Sequence, residues 1–166
     1  MSGGMIVLVM GVSGTGKSTI GRALASTLEA DFLEADAFHS AANVAKMTSG
    51  VPLDDSDRWP WLDAIGRALD QAVMEGKRVV LACSALKQAY RDRLLKDGGR
   101  TGFTVFLKGE PDLIAARMSG RSGHYMPPTL LPSQLATLEP PTDAIVIDIA
   151  EGPEEILREI LASLPR

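Results

Sequence analysis

MIVLVMGVSGTGKSTIGRALASTLEA, Met5 to Ala30, runs a short apolar segment into a glycine-rich turn and then into a helical pattern. Met5 to Met10 is short and rich in β-branched residues, so it reads as a strand covered on both faces. Beyond Lys17, Ile20, Leu24 and Leu28 recur at helical spacing. Between the two lies Gly11-x-x-x-x-Gly16-Lys17-Ser18, in which each residue type is needed. The glycines let a strand turn sharply into a helix while backbone N–H groups curl around phosphate oxygens. Lys17 reaches the β- and γ-phosphates as a point charge, and the Ser18 hydroxyl ligates the Mg²⁺ that bridges them. Gly11, Val12, Ser13, Gly14, Thr15, Gly16, Lys17, Ser18 and Thr19 are therefore the expected nucleotide cradle.

Similar apolar runs follow at Arg78–Ala82, Phe103–Leu107 and Ala144–Asp148, with a weaker one at Asp31–Ala35. Helical patterns separate them. In DRWPWLDAIGRALDQAVMEG, Trp61, Leu62, Ile65, Leu69 and Val73 line one face, and Pro60 suits a first helical turn. PEEILREILASL closes the chain with an amphipathic helix. Strands alternating with helices predict a three-layer α/β fold, a parallel five-stranded sheet with helices on both faces. No repeat or linker divides the 166 residues, so residues 1–166 are expected to form a single domain. Arg117 to Pro141 fits the packed pattern poorly, with five prolines and little periodicity before Leu130, and its part at about 117–134 reads as a mobile lid.

A net charge of −4 argues against a nucleic-acid platform. Cys83 is the only cysteine and sits in an apolar run, where a buried strand residue explains it better than a nucleophile. The N-terminal apolar run is too short for a membrane span, and the expected setting is cytoplasmic, with no membrane partner.

The polar clusters decide what becomes of the phosphate. No Asn-Lys-x-Asp stretch is present to read guanine, and RVVLACSA ends without the aspartate that motor-type ATPases use near the metal. Asp36, at the end of the second strand, is the expected replacement, both as a carboxylate near Mg²⁺ and as the group that takes a proton from an acceptor hydroxyl. Its competing reading is a helix N-cap. Arg117 and Arg121 are placed to come down on the phosphates. His39, Lys46, Arg58, Lys87, Arg91 and His124 supply donors suited to a small anionic polyol. Together these parts predict ATP-dependent phosphoryl transfer, with Lys17, Asp36 and Arg121 as catalytic groups.

Read together, GVSGTGKSTIG, FHSAANVAKMTSGVPLDDSDRWPWL, CSALKQAYRDRL, FLKG, RMSGRSGHYM and SQLATLEPP resemble the gluconokinase family of small P-loop kinases. The resemblance implies phosphorylation of D-gluconate to 6-phospho-D-gluconate with ATP and Mg²⁺, by a homodimer. Carried over by position, it implies Lys17 and Ser18 on ATP and Mg²⁺, Asp36 as the acceptor-side carboxylate, and Arg58, Lys87, Arg91 and His124 facing the substrate. Arg117 would lie against adenine and Arg121 would reach phosphate. The family's Asp-Gly-Asp is Glu34-Ala35-Asp36 here, which leaves the role of Glu34 open. A related kinase of shikimate or a nucleoside monophosphate remains an alternative on the same cradle, and a non-catalytic nucleotide-binding subunit is a more distant one.

Overall fold

The computed structural model of the protein describes residues 4–96, 99–119 and 128–165. Five strands, β1 (Ile6–Met10), β2 (Asp31–Glu34), β3 (Val79–Ala82), β4 (Gly102–Lys108) and β5 (Ile145–Asp148), form one parallel sheet in the order β2-β3-β1-β4-β5. The helices are α1 (Lys17–Leu28), α2 (Ala41–Thr48), α3 (Asp55–Met74), α4 (Gln88–Leu94), α5 (Pro111–Ser119), α6 (Leu131–Thr137) and α7 (Pro153–Ser163). The five expected strands are all present, with ends shifted by a residue or so. All five residues of β1 and all four of β3 are buried, as the absence of polar alternation required. Among the described residues, no helix is long and apolar enough to cross a membrane.

Topology places the site. The chain leaves central β1 toward β2 at one edge, through α1, whereas it leaves neighbouring β3 toward β4 on the other side of β1. Right-handed crossovers then put α1 on one face of the sheet and α3 and α4 on the opposite face, and α7 returns to pack on α1. Two adjacent strands whose exits diverge leave a crevice beyond their carboxyl ends, where ligands of open α/β sheets bind. Here the crevice is walled by the turn after β1, residues 11–16, and by the turn after β3, residues 83–87; the Gly11 amide donates to the Ser84 carbonyl between them.

Two segments differ from expectation. α3 begins at Asp55, more than a turn before the proline, so Pro60 lies inside the helix rather than at its start. The reason is a reciprocal cap: the Asp54 carboxylate accepts from the Asp57 amide at 2.9 Å, and the Asp57 carboxylate accepts from the Asp54 amide at 3.0 Å. That double satisfaction offsets the hydrogen bond lost at Pro60. The far end of the expected lid is also packed structure: Pro128–Leu130 is a 3₁₀ turn leading into α6, with Leu130, Leu131 and Gln134 buried.

Candidate active site

The turn after β1 is held open by left-handed backbone. Gly14 and Gly16 have φ of 86° and 93°, a region that side chains with a Cβ rarely adopt. Gly14 also packs so closely that a Cβ would lie 2.6 Å from Met118 Cγ of α5, whereas the space beside Gly16 is open. The turn thus rests on α5 and leaves a clear face where α1 begins. Thr15 Oγ1 and Lys17 Nζ both donate to the Val12 carbonyl, at 2.9 and 3.0 Å, closing the loop on itself. Ser13 is gripped from α6, its amide donating to Gln134 Oε1 at 2.7 Å and its hydroxyl accepting from Gln134 Nε2 at 3.0 Å. Thr19 is exposed on the first turn of α1.

A cleft with about 540 Å³ of empty space, its open mouth included, lies against this loop. Ser13 and Lys17 of the loop line it together with Asp36, His39, Arg58 and Trp61, and with Ser84 and Gln134. The groups expected to hold the nucleotide and those expected to meet an acceptor therefore share one cavity. Asp36 sits in a 3₁₀ turn, Ala35–Phe38, directly after β2. It is not the cap of the helix that follows, because Ser40 accepts the Asn43 amide there at 3.1 Å. Trp61 fixes the turn, its indole N–H donating to the Ala35 carbonyl at 2.7 Å. Arg58 stands three residues before Trp61, hence on the same face of α3, which turns its side chain to the cleft.

Lys46, one of the cations expected on the acceptor side, does not line the cleft and pairs with Asp57 at 2.6 Å. Glu34, whose role the sequence left open, accepts a hydrogen bond from the Ser18 hydroxyl. Ser18 and Glu34 thus bring hard oxygen donors to the end of the cradle, and Asp36 follows two residues after Glu34; such donors suit Mg²⁺.

His39 stacks on Trp61 with ring centroids 4.1 Å apart and takes an Asn43 amide contact at Nδ1, 3.3 Å away. Burial lowers its pKa to about 4, the Asp36 charge opposing and Arg58 adding to the shift. The ring is neutral at pH 7 and serves as a polar neutral contact. Below its ordinary pKa of 6.5 the unfolded chain takes up this proton while the folded chain does not, so stability falls as pH drops from about 6.5 toward 4. His39→Phe, which keeps a ring on Trp61 but cannot titrate, should flatten urea-unfolding stability over that window. Equal pH slopes in the variant and the wild type would contradict the assignment.

Arg91 does not line the cleft. It is 4% exposed, its Nη1 donating to the carbonyls of Ala85 and Leu86 at 2.7 and 3.2 Å and its Nη2 to the Glu139 carbonyl at 2.8 Å. Ala85 is held at φ 47°, so the guanidinium clamps a strained turn whose neighbours Ser84 and Leu86 do face the cleft. Arg91→Met should cost about 3 kcal/mol in urea unfolding, from buried carbonyls left without a charged donor. The KM for the acid substrate should stay within about twofold, since such a packing effect leaves the cleft's own donors in place. A raised KM at unchanged stability would instead make Arg91 a direct substrate contact.

Lys87 is also absent from the cleft lining and holds both carboxylate oxygens of Asp55, at 3.0 and 3.2 Å. Arg117 donates to the Ile149 carbonyl at 2.7 Å, in the turn after β5 and one residue from the Met118 contact to Gly14. Arg121 and His124 lie outside the described residues. Cys83 is 1% exposed, with its thiol pushed up to about 12 by burial, which suits a core residue and not a nucleophile.

A family model described as shikimate kinase matches residues 13–164. The chain is similar to the gluconokinase of Gluconobacter oxydans (strain 621H), 45% identical over 158 residues that cover 93% of this chain and 88% of the relative. It is 40% identical to the thermoresistant gluconokinase of Escherichia coli (strain K12), over 92% of this chain and 89% of that one. Among solved structures, a gluconokinase from Sinorhizobium meliloti 1021 superposes with a TM-score of 0.84 at 46% identity, covering 97% of this chain and 91% of its own.

Proposed function

Since the chain belongs to the gluconokinases, within the reach of the shikimate kinase family model, we propose that it transfers the γ-phosphate of ATP to the 6-hydroxyl of D-gluconate. The observation that carries the reading is the shared cleft, which Lys17, Asp36, His39 and Arg58 all line. A phosphoryl donor held by the loop and a hydroxyl beside Asp36 meet in one enclosure, and little else is required of the protein, because this chemistry is dominated by positioning and charge.

In the proposed mechanism the amides of residues 11–16 and the N-terminus of α1 bind the phosphates. Lys17 exchanges the Val12 carbonyl for phosphate oxygens and answers the charge that develops during transfer. Asp36 accepts the proton of the attacking hydroxyl. Arg58 pairs with the substrate carboxylate, and neutral His39 hydrogen-bonds a hydroxyl of the acid. Ser18, with Glu34 and Asp36, would hold Mg²⁺, whose charge would help neutralise the phosphates. Arg117 is assigned to the nucleobase, a role supported by its place on α5 beside the loop's Met118 contact. A homodimer accompanies this reading.

The test is the product. With ATP, Mg²⁺ and gluconate, ³¹P and ¹³C NMR should show one phosphomonoester at C6, formed one-for-one with ADP. A phosphoester at another carbon, or ADP formed without any ester, would contradict the proposal.

A further inference from the structure

Among the described residues, three hydrogen-bonded side-chain pairs join α3 to α4. Asp63 holds Arg93 at 2.8 and 2.9 Å, a rung whose residues do not line the cleft. The other two pairs meet at one phenol. Tyr90, 1% exposed, donates its hydroxyl proton to Asp55, accepts from Arg58 Nη1 at 2.9 Å, and has Arg58 Cζ 5.3 Å above its ring. Lys87 neutralises Asp55 and is 5.6 Å above the same ring. Trp59 holds the ring edge-on at 5.6 Å. Of Asp55, Arg58, Lys87 and Tyr90, only Arg58 reaches the cleft.

Hydrogen-bond direction makes this a device and not merely a cluster. Asp55, with its carboxylate kept below the usual range by Tyr90 and Lys87, can only accept; burial and that bond hold the phenol protonated. Tyr90 must therefore give its proton to Asp55, which turns a lone pair toward Arg58 and pins Nη1. Among the described residues this is the hydrogen bond that Arg58 makes, so the rest of its planar fork is presented to the cleft. Arg58 and Lys87 against Asp55 leave one net positive charge beside the cavity.

We infer that Tyr90 and Asp55 are positioning residues for acid recognition: they set the Arg58 guanidinium toward the substrate carboxylate, and Lys87 acts through Asp55 instead of touching the acid. This rests on the gluconate reading above. An arginine so anchored loses less rotamer freedom on binding and is placed for bidentate pairing with a carboxylate.

The experiment is a double-mutant cycle read in gluconate kcat/KM. Tyr90→Phe keeps the ring over which Arg58 and Lys87 lie and removes only the hydroxyl. It should raise the gluconate KM about tenfold, the size of one charge-assisted hydrogen bond, with kcat within about twofold and the ATP KM unchanged. In an Arg58→Ala background the same change should lower gluconate kcat/KM by less than about twofold, because the residue it positions is gone. A tenfold loss in that background too, or an unmoved KM in Tyr90→Phe alone, overturns the inference. Should Tyr90→Phe fail to fold, Asp55→Ala, at a more exposed position, carries the same cycle, and the same two results overturn the inference there. Wild-type enzyme that does not phosphorylate gluconate would sink the substrate reading and this inference with it; normal wild-type turnover beside an insensitive Tyr90→Phe would sink the inference alone.

Discussion

Lys17→Ala should lower kcat by a hundredfold to a thousandfold, about 3 to 4 kcal/mol of barrier, while leaving the fold almost untouched. The two effects separate because of what Lys17 does at rest. Its ammonium lies 3.0 Å from the Val12 carbonyl, and that same oxygen also accepts from Thr15 Oγ1 at 2.9 Å, so removing the lysine leaves the carbonyl satisfied. The stability cost should stay under about 1 kcal/mol. Loss of Lys17 removes one positive charge from the phosphoryl oxygens at the moment their charge develops; among the described residues that line the cleft, Arg58 is the other cation, and it is assigned to the acceptor. Single-turnover rates with saturating ATP isolate the chemical step. A variant within fivefold of wild type would remove Lys17 from the mechanism.

Asp36→Asn should lower phosphoryl transfer by about a hundredfold to ten-thousandfold, with ATP binding and unfolding midpoint close to wild type. Asn fills the same volume and can still accept a hydrogen bond, but it cannot take up the proton of the acceptor hydroxyl. The cap alternative, open from sequence, predicts an active Asn variant, since Asn caps helices nearly as well as Asp. Ser40 occupies the cap of α2, so the cap reading does not apply to Asp36. Pre-steady-state ADP release with gluconate measures it, and retained burst rates would contradict the assignment.

The sheet is legible in the sequence because its information is local. Five apolar runs, each short and β-branched, require strands buried on both faces, and the glycine-lysine-serine turn orients the first of them toward a phosphate. Asp36 is found by the same logic, as a carboxylate at a strand's carboxyl end. What stays hidden is non-local. Arg91 offers a cation to any reader of the sequence, and only the fold shows that carbonyls 6, 5 and 48 residues away consume it. Lys87 likewise meets its partner 32 residues upstream. Gln134 lies in a proline-rich segment that reads as a lid, although its place in SQLATL, where hydrophobic periodicity resumes, is a signal that the chain has returned to packed structure. Glu34 can be assigned only once the turn after β1 brings Ser18 to it. The Asp54–Asp57 cap, by contrast, has a local signal: an Asp three residues before another Asp marks a helix start, and Pro60 masks it by carrying the stronger expectation.

One cleft, lined by Lys17, Asp36, His39 and Arg58, is proposed to select a linear sugar acid. Steady-state kcat/KM from ADP release, measured with ATP and Mg²⁺ for D-gluconate, other aldonic acids, shikimate and nucleoside monophosphates, tests that claim most directly. D-gluconate should exceed shikimate and every nucleotide by at least about a hundredfold, the scale of roughly 3 kcal/mol expected when a site's charged and polar donors are left unpaired by the wrong acceptor. A preference for shikimate or a nucleoside monophosphate, or no acceptor-dependent ADP release at all, would contradict it.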